Sequence, residues 1–214
     1  MKSVRVFFEK TGDLKFVSHL DLNRFMIRMV RLSGIPVWYS EGFNPHPYIT
    51  FALPLSLGFE STYEIMDIRL DDDDYLCEDV LDKLGSKMPN GIKMTACQEP
   101  IMKNGEVAYA KFVLDFGSDF ATFVDKLKEF MTSRSIIAEK RTKKGGLKTV
   151  DLKDMIHSWS FSEHGMVLIL AAGGSNNLNP KLLIDTFVEK NGVEIPAYSV
   201  TRVGLYNSKM ELFI

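Results

Sequence analysis

One amphipathic helix with clear signals at both ends constrains this sequence more than any other feature, and it is predicted from residue 19 to residue 33. Ser18 is a preferred N-cap residue, and Asp21 three positions later gives the pattern of a capping box. Gly34 and Pro36 then end the helix, because glycine favours a left-handed C-cap and proline cannot continue the helix. The chain must therefore fold around a helix with fixed ends.

The two faces of this helix differ in chemistry. Apolar residues share one face at helical spacing and predict packing against a core: Leu22, Phe25, Met26, Met29 and Val30. Charged residues recur at spacings of three and four on the other face: Asp21, Arg24, Arg28 and Arg31. We expect this mostly basic face to point outward.

The order of predicted elements indicates the fold class. Alternating apolar residues predict strands at 3–9, 35–39, 63–70 and 92–96, and a second helix is predicted at 75–84. Strand, helix, strand, strand, helix, strand is the order of a ferredoxin-like βαββαβ unit. After the turn-forming residues 103–105, the same plan recurs with an added hairpin. The sequence predicts an α+β protein of two ferredoxin-like units, residues 1–100 and 105–214, each an antiparallel sheet with helices on one face.

Composition and charge limit the classes of function. Of 214 residues, 26 are Lys or Arg and 28 are Asp or Glu, so a nucleic-acid partner would need a local basic patch. No apolar run approaches the roughly 18 residues of a membrane span, and we expect a cytoplasmic protein without a membrane partner. Two cysteines and four histidines share no ligand spacing. We therefore predict no metal site and no cofactor.

The loop GFNPHP at 42–47 is the first candidate site. Its glycine and two prolines restrict the backbone, so the loop should present Asn44 and His46 rigidly, with Phe43 available for stacking. The alternative is a tight turn whose asparagine bonds its own backbone while His46 fills space between the prolines. We favour the functional interpretation, because rigid loops rich in polar groups often hold a ligand.

His19 is the second candidate, since histidine titrates near neutrality and has Asp21 and Arg24 as close neighbours in sequence. The alternative is that Ser18, His19 and Asp21 only cap the helix. We expect the segment before the helix and the 42–47 loop to fold back and line one hollow, in which His19 and His46 would be the catalytic candidates.

A basic hairpin is predicted in the second unit around residues 140–148, with Arg141, Lys143 and Lys144 near its tip. Such a cluster suits a phosphate backbone, although charged hairpin tips are also common solvated features. Arg202 is predicted on a late strand, where it would either join this patch or pair with a carboxylate.

The motifs together resemble a known bacterial family, the radical-SAM-linked domain of unknown function. The resemblance spans nearly the whole chain and is carried by these segments: SHLD at 18–21, GIP at 34–36, YSEGFNPHP at 39–47, LPLSLG at 53–58, RTKK at 141–144, NP at 179–180 and TR at 201–202. Members resemble domains fused to cobalamin-binding radical SAM proteins or found alone near ribonuclease G and ribosomal protein genes. Glu41 departs from the family pattern, which more often has glutamine there.

A weaker resemblance, confined to the first forty residues, is to RAMP-type CRISPR RNA endonucleases, and it implies that His19 is a candidate general base. The expected function is an RNA-binding accessory protein for tRNA or rRNA modification or maturation, acting with a radical SAM or RNA-processing partner. Its predicted RNA contacts are Asp21, Arg24, Arg28, Phe43, Asn44, Arg141, Lys143, Lys144 and Arg202. The alternatives are a metal-independent endoribonuclease that uses His19 and His46, and a protein module that docks onto a radical SAM enzyme.

Overall fold

The first unit has the predicted ferredoxin-like order. The computed structural model describes residues 2–141, 146–174 and 176–214. The unit consists of β1 (Lys2–Lys10), α1 (His19–Ser33), β2 (Ile49–Phe51), β3 (Glu60–Leu70), α2 (Cys77–Gly85) and β4 (Ile92–Gln98). Its strands lie in the order β4, β1, β3, with β2 on the far edge of β3, which is the ferredoxin-like arrangement.

The second strand of this unit lies elsewhere than predicted. Residues 35–39 form only isolated bridges, from Val37 to Leu70 and from Tyr39 to Pro47, and β2 is instead Ile49–Phe51. Pro36 has no N–H group to donate to a sheet, and the turn-forming residues that follow Tyr39 prevent a longer ladder. The strand order is nevertheless unchanged.

The second unit repeats the plan with the predicted extra hairpin. It consists of β5 (Tyr109–Asp115), α3 (Val124–Thr132), the hairpin β6 (Ile137–Arg141) and β7 (Leu147–Asp151), β8 (Ile156–Phe161), β9 (Gly165–Ala171), α4 (Pro180–Asn191) and β10 (Ser199–Tyr206). The sheet order is β10, β5, β9, β8. A 3₁₀ helix, Gly117–Thr122, precedes α3.

One edge of β3 joins the two units into a single sheet. β10 runs parallel to the start of β3, with Thr201 opposite Glu60 and Arg202 opposite Ser61. β2 pairs with the same strand further along, where Phe51 lies opposite Met66. The same edge of β3 therefore pairs first with β10 of the second unit and then with β2 of its own unit.

In each unit the helices cover one face of the sheet. Val4, Val6 and Phe8 of β1 pack against Leu22 and Met26 of α1 in one buried cluster. In the second unit a larger cluster joins β5 and β9 to α3 and α4 and is rich in phenylalanine. The alternation of side chains along a strand accounts for this one-sided burial.

The opposite face of the junction is closed by the C-terminal residues. Phe213 is fully buried, and its N–H donates to the carbonyl of Leu205 at 2.9 Å. The guanidinium of Arg5 lies 4.5 Å from the centre of the Phe213 ring and makes a bidentate pair with Asp67 at 2.7 and 2.8 Å. Arg5 also donates to Asn104, so the segment between the units is tied to β1.

Across the described residues, none of the helices has the length and apolar character needed to cross a bilayer.

Candidate functional site

A buried polar centre lies where β3 and β10 meet. Lys10, Glu64 and Arg202 are each 1% exposed. Arg202 donates from Nε and Nη2 to the same Glu64 oxygen, at 3.1 and 2.5 Å, and from Nη2 and Nη1 to the carbonyls of Leu53 and Pro54. Its donors are thus committed inside the protein. Of the two predicted roles for Arg202, the structure shows the carboxylate pair, and the side chain is not available to a phosphate backbone.

Lys10 brings a second cation into this centre. It is the last residue of β1 and lies opposite Ser61, next to the bulge that follows Phe8. Among the described residues, its ammonium group has no hydrogen bond and no carboxylate within ion-pair distance. Burial lowers the pKa of Lys10, Glu64 raises it in opposition, and Arg202 lowers it further. The pair of Glu64 with Arg202 leaves Lys10 without a close counter-charge.

His19 begins α1 and borders the same centre. Its ring lies edge-on to Phe51, with 5.1 Å between the ring centres. Burial lowers the pKa of His19, and Arg202 and Lys10 lower it further while Glu64 opposes them. The imidazole is therefore biased toward its neutral form, which can accept a proton.

Ser18 and Asp21 cap the helix as predicted, although the geometry differs from a capping box. The Ser18 hydroxyl accepts the Asp21 N–H at 3.2 Å and donates to the Asp21 carboxylate at 2.7 Å. Asp21 therefore bonds the serine hydroxyl and not the Ser18 backbone. It also contacts Arg24 at 3.4 Å, and both side chains are largely exposed.

The loop of residues 40–47 is tied to itself. The Ser40 N–H donates to the His46 carbonyl at 2.9 Å, and the His46 N–H donates back to the Ser40 hydroxyl at 3.2 Å. The Nδ1 atom of His46 lies 3.1 Å from that hydroxyl and 3.2 Å from the Asn44 carbonyl. His46 thus braces the loop, while the Asn44 side chain is exposed.

His19 and His46 belong to different sites. His19 packs on Phe51, which pairs with Met66, whereas the residue after the loop, Tyr48, accepts a hydrogen bond from Arg69. These points on β3 are three residues apart, or about 10 Å at the rise of a strand, and His46 lies beyond the second of them. Each histidine has its own partners. The expectation of one hollow lined by both was wrong, because the segment from 49 to 51 that separates them is extended.

An exposed aromatic surface surrounds the 40–47 loop. Phe43 at its tip has a relative exposure of 105%, and Tyr39 and Tyr48 at its base are 39% and 43% exposed. Trp38 meets Tyr48 edge-on at 5.4 Å, and the Arg69 guanidinium lies 4.9 Å from the centre of the Trp38 ring. We call Trp38, Tyr39, Phe43, Tyr48 and Arg69 the aromatic loop surface.

Of this surface, only Phe43 was predicted from the sequence. Trp38 and Tyr39 fall in the strand predicted at 35–39, and Arg69 falls in the strand predicted at 63–70. The sequence does contain a pattern that indicates this surface, because aromatic residues flank the loop on both sides, at 38–39 and at 48.

The predicted cations fall into separate groups. Three arginines are exposed on α1: Arg24, Arg28 and Arg31. Arg28 and Arg31 lie in the second half of the helix, and the chain continues from that end to the aromatic loop surface. Arg141 is the last residue of β6. Lys143 and Lys144 lie outside the described residues.

Within the part of the chain that the structure describes, no three His, Cys, Asp or Glu side chains gather in a way that could hold a metal ion. Cys77 and Cys97 are free thiols, and burial raises the pKa of Cys97, with a contribution from a hydrogen bond to Cys77. Two groups of side chains do gather. One is the polar centre of Lys10, Glu64 and Arg202 with His19 at its border, and the other is the aromatic loop surface.

Residues 3–180 match the family described as "Uncharacterized protein conserved in bacteria (DUF2344)". The chain belongs to this family. The segment matched to DUF2344 runs from β1 to the first residue of α4, so it contains Lys10, His19, Glu64 and the whole aromatic loop surface. Arg202 lies beyond the matched segment.

Other comparisons add little to the DUF2344 assignment. A search of curated proteins gave no match. Among solved structures, the chain is similar to the acetolactate synthase small subunit from Thermotoga maritima, with 11% identity, 94% of each chain covered and a TM-score of 0.27. A putative glycine cleavage system transcriptional repressor has 13% identity, covers 94% of this chain and 98% of its own, and gives a TM-score of 0.25. TM-scores this low carry no conclusion about what this chain does.

Proposed function

We propose that this protein is an RNA-binding accessory protein that presents unpaired bases or their flanking backbone to a radical SAM or RNA-processing partner during tRNA or rRNA maturation. The single observation that carries the proposal is the placement of Phe43. Its side chain is fully exposed, yet the loop that holds it is braced by the Ser40 and His46 hydrogen bonds. A solvent-facing ring on a braced loop is a platform on which a base can stack.

The neighbouring side chains suit the same ligand. Tyr39 and Tyr48 offer further ring surface, and Arg69 holds a positive charge against Trp38. Stacking on aromatic rings contributes about 1–3 kcal/mol per base and tolerates any sequence. The surface is thus suited to single-stranded or looped RNA.

Phosphate contacts would come from the outward face of α1. Arg28 and Arg31 are exposed and lie in the second half of the helix, towards the end nearer the loop. Arg24 is nearer the start and is partly engaged by Asp21. Such a short row of cations on a chain of net charge −2 would direct RNA to this side of the protein.

The two alternatives are weaker. An endoribonuclease that uses His19 and His46 together requires both rings at one phosphate, and their separate partners argue against that pair. A docking module for a radical SAM enzyme would also use an exposed Phe43, since aromatic side chains are common binding hot spots. The radical SAM partner itself is supported only by the sequence resemblance.

Fluorescence anisotropy with tRNA, rRNA fragments and unstructured RNA at rising salt tests the proposal. We expect affinity to fall with salt and Phe43→Ala to weaken binding by about 5- to 100-fold. Ile101→Ala is the matched control, because Ile101 is 72% exposed but lies in the segment between the units. Absence of binding at low salt, or equal effects of the two variants, would overturn the proposal. If the wild type binds a radical SAM protein but no RNA, and Phe43→Ala no longer binds that protein, the docking module is favoured instead.

A further inference from the structure

A small apolar cavity lies beside the first half of α1, on the side of the sheet that carries the polar centre. Its volume is about 220 Å³. Apolar residues from the segment before α1, from α1 itself and from the turn into β4 line it: Leu14, Val17, Leu22, Phe25, Pro89 and Ile92. Among the described residues, the charged residues Lys10 and Asp21 complete the lining.

The two charged residues differ in what surrounds them. The Asp21 side chain is 61% exposed and is already bonded to the Ser18 hydroxyl and Arg24. Lys10 is 1% exposed and, within the described residues, its ammonium has neither a hydrogen bond nor an ion pair. An ammonium that has little contact with water and no partner in the protein is unfavourable, so this side chain is the part of the cavity that a ligand would satisfy.

The charges around Lys10 favour an anion. In the part of the chain that the structure describes, two cations, Lys10 and Arg202, share the buried centre with one carboxylate, Glu64. Arg202 already directs two donors to Glu64, so the positive charge of Lys10 is the excess. His19 borders the centre without adding a negative charge. An anionic group at Lys10 would balance the buried charges.

The walls determine the rest of the ligand. Six apolar side chains offer no donors to the many oxygens of phosphate or sulfate, which favours a ligand that is mostly hydrocarbon. A dry apolar cavity of about 150 Å³ accommodates benzene, so the present volume suits a ring or short branched chain with one additional small group. These size and charge requirements define one chemical class.

We propose that this cavity binds a small apolar monocarboxylic acid, about the size of benzoate or a branched short-chain acid, with its carboxylate on Lys10 and its hydrocarbon against the α1 wall. The site is separate from the aromatic loop surface and does not rest on the proposed RNA function.

Isothermal titration calorimetry of the full chain with benzoate tests the site, and benzyl alcohol serves as the neutral ligand of matched shape. We expect benzoate to bind and benzyl alcohol to bind about 10- to 100-fold more weakly, the range expected for one hydrogen bond to a charged group. Lys10→Met should remove this preference. Lys93→Met is the control, because Lys93 is exposed on the neighbouring strand β4.

Two further measurements keep the test decisive. Thermal unfolding should show Lys10→Met to be at least as stable as the wild type without ligand, because methionine fills the same space without a buried charge. Val17→Phe should abolish benzoate binding with Lys10 intact, since the larger ring fills the cavity. The proposal is wrong if benzoate and isovalerate fail to bind the folded wild type, if benzyl alcohol binds as tightly as benzoate, or if folded Lys10→Met retains full affinity.

Discussion

Arg202 of β10 donates two hydrogen bonds to one carboxylate oxygen of Glu64 on β3, so a buried ion pair links the second ferredoxin-like unit to the first. The parallel pairing of Arg202 with Ser61 brings the guanidinium to this position. A pair so placed couples the folding of the two units.

Glu64→Gln should lower the free energy of unfolding by about 3–5 kcal/mol, because it leaves Arg202 buried without its carboxylate. Asp185→Asn is the control. It breaks the exposed Lys181–Asp185 pair, measured at 2.7 Å, and should change stability by no more than about 1 kcal/mol. Chemical denaturation of the two variants checks the difference, and equal effects would contradict a structural role for the buried pair.

Stability should fall as the pH drops through the range in which His19 titrates. Burial lowers the pKa of His19 from its ordinary 6.5, with Glu64 opposing and Arg202 and Lys10 reinforcing the shift. Between the folded and unfolded pKa values the unfolded chain binds more protons, so the stability present above pH 6.5 is lost as the pH falls through the folded pKa.

His19→Gln should flatten this dependence, which chemical denaturation at a series of pH values would measure. His164→Asn removes an exposed ring and serves as the control. An imidazole pKa above 6.5 for His19 in an NMR titration, or an unchanged slope in His19→Gln, would show that the ring is not held neutral by the fold.

Gly165→Ala should destabilise the second unit by about 2 kcal/mol or more, in the upper range for overpacking. A Cβ atom at Gly165 would lie 1.9 Å from the carbonyl oxygen of Leu114, so β5 and β9 would have to separate. Gly105→Ala has open space around its Cβ position and should change stability by less than about 0.5 kcal/mol. Thermal or chemical unfolding of both variants distinguishes the outcomes, and similar values would contradict the close approach.

Arg28→Ala should weaken RNA binding similarly for all sequences and reduce the slope of log affinity against log salt by about 1. Phe43→Ala should instead reduce affinity while leaving the slope nearly unchanged, because stacking displaces no counterions. Arg134→Ala, an exposed arginine of the second unit, is the control for general charge. A slope that Arg28→Ala does not alter would remove α1 from the RNA-binding surface.

Local signals in the sequence predicted much of the fold. Ser18 and Gly34 set the ends of α1 through backbone chemistry within a few residues, and the structure confirms both. The prediction of a strand at 35–39 was wrong, because the alternation of apolar residues does not show which segment will pair with the edge of β3. β2 became the edge strand because Ile49–Phe51 lies beside the second half of β3.

The polar centre depends on contacts that no local pattern encodes. Arg202 and Glu64 are 138 positions apart in sequence, and their pairing follows from the register of β10 on β3. Lys10 reads as an ordinary polar residue at the end of a strand, and only the bulge after Phe8 and the packing of α1 show that it is buried. The sequence around His46, by contrast, has a strong local pattern, and the hydrogen bonds of His46 are to the nearby residues Ser40 and Asn44.

The common edge of β3 also determines how the protein can be divided. Cutting the backbone between the units would leave β10 still seated on β3, Arg202 still on Glu64 and Phe213 still beneath Arg5. The two pieces would remain associated after such a cleavage and behave as a complementing pair of fragments. Either piece expressed by itself would expose the unpaired edge of a strand and leave Glu64 or Arg202 without its partner, so we expect each piece to be less stable alone than with the other.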